Sequence, residues 1–152
     1  MGIIEALRAS LSPRTRLLRR LAVIGGANER LAADVKRHAG MCEYPGLKSG
    51  LETAAVAEAA DAQALRVLLL AHDVWPALPG VEHREGANHW ARISSDLAAE
   101  IELVRGLNAA AAEWEGVDPG IAERLRELAA GKDQTLGLLR DLALKCDPQA
   151  LD

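Results

Sequence analysis

Apolar residues recur along this chain every three to four positions and nowhere alternate as they would in a half-buried strand, so the pattern predicts helices from end to end. Ser12 as N-cap with Pro13 at the first helical position opens the first long helix. Its stripe runs Leu18, Leu21, Ile24 or Gly25, Asn28, Leu31 or Ala32, Val35, and His38 or Ala39, and Gly40 closes it. Gly25-Gly26 marks a close helix contact or a bend. Met41 to Lys48 reads as a loop; Ser49 then caps a second helix, with Glu52 completing a capping box, and the helix must end before Pro76. A third helix starts at Asn88, carries Trp90, Ile93, Leu97, Ile101, Val104, Leu107 or Asn108, Ala111 and Trp114 on one face, and ends at Gly116. Asp118-Pro119 caps a fourth, with Ile121, Leu125, Leu128, Lys132, Thr135 or Leu136, Leu139, and Leu142 or Ala143 inward, up to Asp147-Pro148. Residues 2 to 10 make a short amphipathic helix at most. The expected organisation is an arm over 1–17 and a four-helix bundle over 18–152.

The connection from Trp75 to Ala87 bears on topology. It contains Pro76, Pro79, Gly80 and Gly86 and reads as irregular. A hairpin between antiparallel helices needs only about two to eight residues, whereas this stretch, extended at about 3.3 Å per residue, reaches back along a whole helix. The expectation is therefore a long crossover, with the second and third helices parallel and the other sequential pairs antiparallel. That topology brings His38, Cys42, His89 and Cys146 to one end of the bundle. Two cysteines in separate loops form no disulfide framework and are expected as reduced thiols.

Composition agrees with a bundle and narrows the partners. The chain has 152 residues, 49% of them hydrophobic, with no Phe, one Tyr and three Trp, so Leu and Ala must fill the core. Such cores pack closely and leave little room for an interior ligand cavity. Net charge is −4, but residues 1 to 20 hold five Arg against one Glu, which leaves an acidic body unsuited to nucleic acid. No stretch approaches a membrane span and no secretory leader is legible, so no membrane association and a cytoplasmic location are expected. Glycine-rich nucleotide loops, Cys-x-x-Cys pairs and Gly-x-Ser-x-Gly elbows do not occur. His72, at the end of the second helix, reads as a cation near the helix dipole and His83 as a solvated loop residue. Trp75, Trp90 and Trp114 read as core or subunit-interface anchors.

The candidate chemistry lies where the stripes break their own rule. Positions 51, 55, 58, 62, 65, 69 and 72 of the second helix read Leu, Ala, Glu, Ala, Leu, Leu, His, so Glu58 interrupts an apolar line, and Asp61 is within reach of the same face. Lys132 interrupts the fourth helix in the same way. Unpaired charges in a low-dielectric core cost several kcal/mol, so Glu58 and Lys132 are expected to be buried against each other.

With these helices, the long connection and the mid-helix carboxylates in view, the chain resembles the ferritin-like superfamily over about residues 18 to 148. The segment "KDQTLGLLRDLALKCDPQAL" is similar to the end of the fourth helix in bacterial ferritin-like proteins. The resemblance implies a carboxylate site for iron that activates oxygen, oxidises iron or reduces peroxide. Glu29 matches the first-helix ligand, Glu58 the second-helix one and Glu100 the third-helix one, while Asp61 stands where the family has His. In "GKDQTLGLL" the fourth-helix Glu position falls on Lys132 or Asp133, and the His position on Thr135 or Leu136. Two readings follow. One is a non-enzymatic interaction or structural protein without cofactor, acting as a homo-oligomer, most simply a dimer. The other is an iron-binding carboxylate oxidoreductase using Glu29, Glu58, Asp61, Glu100 and Asp133.

Overall fold

The structure, a computed structural model, describes residues 12–77 and 86–147, with Ile4 besides. The short helix expected over residues 2 to 10 falls almost wholly outside them. Among the described residues there are four long helices and no strand: α1 (Pro13–Met41), α2 (Pro45–Leu70), α3 (His89–Trp114) and α4 (Pro119–Cys146). None is long and apolar enough to cross a membrane.

Local chemistry sets most of the ends as expected. The Ser12 side chain accepts from the Thr15 N–H at 3.2 Å, Asn88 from Ala91 at 2.8 Å, and Asp118 from Gly120 at 3.1 Å and Ile121 at 3.3 Å. The start of α2 departs from expectation. It begins at Pro45 rather than after Ser49, because proline at the first position needs no N–H partner and has its φ preset for the helix. Ser49 thus lies inside the helix, where its carbonyl accepts from the Thr53 hydroxyl at 3.0 Å. α2 is followed by a turn over residues 71–73, in which Asp73 takes the left-handed region at φ 58°.

Helix α1 packs on α2 and α3, and α4 packs on the same two. The interior has two apolar halves. One holds Leu21 of early α1, Leu65 and Leu69 of late α2, Leu107 and Trp114 of late α3, and Ile121 and Leu125 of early α4. The other holds Val35 and Ala39 of late α1, Leu51 and Ala54 of early α2, Ile93 of early α3, and Leu139 and Leu142 of late α4. Cys42 belongs to the second half and Cys146 packs against it, so the two thiols share one end of the bundle. At the opposite end Arg14 of α1 reaches the neighbouring ends of the other three helices. Its guanidinium lies 3.2 Å from Asp118 Oδ2 and 3.3 Å from His72 Nδ1, and stands over the buried Trp114 ring.

Gly25 of the expected glycine pair is a close contact and not a bend. A Cβ there would come within 2.8 Å of Leu69 Cδ1, and α1 runs through both glycines unbroken. The inward face of α3 also differs from the apolar reading. The buried positions are Ile93, Asp96, Ala99, Glu100, Leu103, Leu107, Ala110, Ala111 and Trp114, while Leu97, Ile101 and Val104 are only half-buried and Trp90 is 40% exposed.

A buried charge layer as the candidate functional site

Between the two apolar halves lies a polar layer to which each helix contributes near its middle. Glu58, Glu100 and Lys132 are completely buried, and so, within 1%, is Asn28. Lys132 Nζ donates to Glu58 Oε2 at 2.8 Å and to Glu100 Oε2 at 3.1 Å. It also lies 3.2 Å from Asp61 Oδ2. Asn28 Nδ2 donates to Glu58 Oε2 at 3.3 Å, which brings α1 into the same network. The expected Glu58–Lys132 pairing is therefore present, and Glu100 and Asp61 join it.

Asp61 is the member of this group that reaches water, with a side chain 23% exposed. It lines a cleft of about 220 Å³ between α2 and α4, together with Arg124, Glu127 and Gly131. A buried ammonium is tolerable only when its protons are satisfied and its charge is compensated. Three carboxyl groups around one ammonium overcompensate, and the excess is removed by protonation. Burial, with a further push from the neighbouring Glu58 carboxylate, raises Glu100 from 4.5 to about 8 despite the pull of Lys132. For Lys132 desolvation pulls downward, but the combined fields of Glu58, Glu100 and Asp61 outweigh it and hold the ammonium above its ordinary value. Near neutral pH the inner layer thus holds a Lys132 cation and a largely protonated Glu100.

The other residues of the expected metal set lie apart from this point. Glu29 turns to the surface of α1, where its carboxylate takes Arg66 Nε at 2.7 Å, while the neighbouring Asn28 occupies the inward position. Asp133 is on the exposed side of α4. Among the described residues, no group of three or more His, Cys, Asp or Glu side chains is arranged to hold a metal ion. Glu58, Asp61 and Glu100 do converge, but on the Lys132 ammonium, whose charge repels a second cation.

A second polar cluster, between α1 and α3, was not singled out from the sequence. Asp34, His38 and Asp96 are all buried to within 1%. His38 Nδ1 lies 2.6 Å from Asp96 Oδ2, and Asp34 is flanked at 3.7 Å by Arg30 and by Arg37. An arginine N–H can only donate, and Arg37 lies 3.5 Å from His38 Nε2, so Nδ1 carries the hydrogen given to Asp96. The signal existed in the spacing: Ile93, Asp96, Glu100, Leu103 and Leu107 follow one helical line, with two acids inside it. No protein-family model matches the sequence, and comparison with curated proteins finds no match.

Proposed function

We propose that this chain is a metal-free, ferritin-like bundle in which the Lys132 ammonium takes the central position that a metal ion would otherwise fill, and that it serves as a non-enzymatic interaction or structural protein working as a homo-oligomer. The observation that carries this reading is the approach of one ammonium to within 2.8–3.2 Å of carboxylates from two helices. The ferritin-like topology is supported by the contents of the two apolar halves: Leu51 and Ile93 share one, Leu69 and Trp114 the other, as a crossover between parallel α2 and α3 requires. A cytoplasmic location belongs to the same reading.

Metal analysis of protein produced in iron-replete medium tests it. The expected result is well under one-tenth of an equivalent of iron, manganese or zinc per chain, since binding would require displacing or deprotonating a lysine whose pKa is raised. Near-stoichiometric metal would overturn the reading. It would favour the alternative, an iron-binding carboxylate oxidoreductase, for which the convergence of Glu58, Asp61 and Glu100 is the supporting observation.

The homo-oligomer rests on the outer face of α2. Thr53, Val56, Ala60, Gln63, Val67 and Leu70 are all exposed and follow alternating three- and four-residue steps, a stripe suited to a second copy of itself. Val67→Glu in this stripe is expected to convert a dimer to monomer in light scattering at micromolar concentration without loss of helicity. A wild-type chain that remains monomeric as concentration rises would sink this part of the proposal.

A further inference from the structure

At the end of the bundle that holds the two thiols, a cavity of about 670 Å³ opens between the first turn of α2, the first turn of α3 and the last turn of α4. Its walls are predominantly apolar and ring-bearing: Tyr44, Leu47, His89 and Trp90, with Lys145 and Cys146 opposite. The Tyr44 and His89 rings meet edge to face, centroids 5.8 Å apart at 84°. Tyr44 and Trp90 remain 65% and 40% exposed although both border this space. Volume, concavity and a few polar groups among apolar walls are the features of a small-molecule site.

The polar groups select the charge of the occupant. Lys145 is the cation on the wall, and among the described residues no carboxylate pairs with it. The Cys146 thiol adds no negative charge, because burial and then the nearby Cys42 sulfur push it upward from its ordinary value. Tyr44, the N-cap of α2, supplies no side-chain capping bond, so the N–H groups of Gly46 and Leu47 on this wall lack one. Arg92 donates to His89 Nδ1 at 3.4 Å, which leaves Nε2–H as the ring's donor. The site therefore presents donors and a cation, set in an aromatic frame.

We propose that this cavity binds a fused-ring aromatic carboxylate, its ring system against Tyr44, His89 and Trp90 and its carboxylate toward Lys145 and the start of α2. The site is independent of the buried charge layer. The probes are 2-naphthoate and its uncharged counterpart 2-naphthamide, titrated into the full-length protein and followed by amide chemical shifts. Saturable shifts confined to the neighbourhood of Gly46, Leu47, His89 and Lys145 are expected with naphthoate, at a Kd of about 0.5 mM or tighter. Lys145→Gln, a change at an exposed position, should weaken naphthoate about fivefold and leave naphthamide unchanged. Trp90→Leu should weaken both probes. The proposal is overturned by shifts that do not saturate below about 5 mM, by shifts centred elsewhere, or by a Lys145→Gln effect equal for the two probes.

Discussion

Lys132→Met should lower the stability of the protein by about 3–5 kcal/mol, the cost of leaving buried carboxylates without their cation. Methionine matches the lysine stem in length and fits the same channel, so cavity formation contributes little and the loss reports the ammonium itself. In thermal unfolding the change corresponds to a drop of roughly 10 °C for a domain of this size. The pair Glu58→Leu with Lys132→Met is expected to be markedly less destabilised than Lys132→Met alone. Both members of the inner ion pair then leave together, Glu100 stays protonated, and Asp61 retains its access to water. Denaturant midpoints at neutral pH for the two variants decide the matter. A double variant weaker than the single one would mean that the layer is held together by Glu58 contacts other than Lys132, such as the Asn28 amide at 3.3 Å.

The second large effect is a dependence of stability on pH that runs opposite to that of most proteins with paired carboxylates. Glu100 titrates at about 8 in the folded chain against 4.5 as its ordinary value, so over that interval the folded state keeps a proton that the unfolded state has released. Stability must then fall as pH rises, by as much as ~1.4 kcal/mol per pH unit from this group. The contribution is complete below 4.5 and has been lost by the time pH passes about 8. Glu100→Gln keeps the shape, can still accept from Lys132 and donate toward Glu58, and removes the titration. Between pH 5.5 and 7.5 the wild type should therefore lose about 2–3 kcal/mol more than Glu100→Gln does, measured by urea unfolding. Parallel profiles for the two proteins would show that Glu100 is already ionised in the fold.

Both effects depend on a layer of which the sequence revealed one half. Glu58 and Lys132 were legible because each interrupts a line of leucines and alanines at helical spacing, and a charge so placed needs an opposite charge on a facing helix. Glu100 was harder to place. Counting apolar residues on α3 favours the line through Leu97, Ile101 and Val104, with Glu100 beside it, and only the partners on other helices reverse that preference. Inward rotation brings Glu100 to Lys132 and Asp96 to His38, and the half-buried Leu97 still packs against the core from the flank. The same competition separated Asn28 from Glu29. Both could approach the first-helix position, but Glu29 has the Arg66 guanidinium at the surface, while the amide of Asn28 can be buried at lower cost.

What the sequence determined by itself was therefore everything fixed by local chemistry and period: the helical class, the caps at Ser12 and Asp118, the start of α3 at Asn88, the end of α4, and the two interior charges that no apolar stripe should contain. Only the tertiary structure decided what depends on neighbours distant in the chain. It chose Pro45 as the start of α2, turned α3 toward its acids, joined Asp34, His38 and Asp96 in a second buried cluster, and set Asp61 at the one solvent-facing edge of the Lys132 layer. The physical reason is the same in each case. Hydrophobic burial is non-directional and tolerates a helix rotated by a fraction of a turn, whereas a buried charge is stable only at hydrogen-bond distance from its partner, and that distance is a property of the packed bundle.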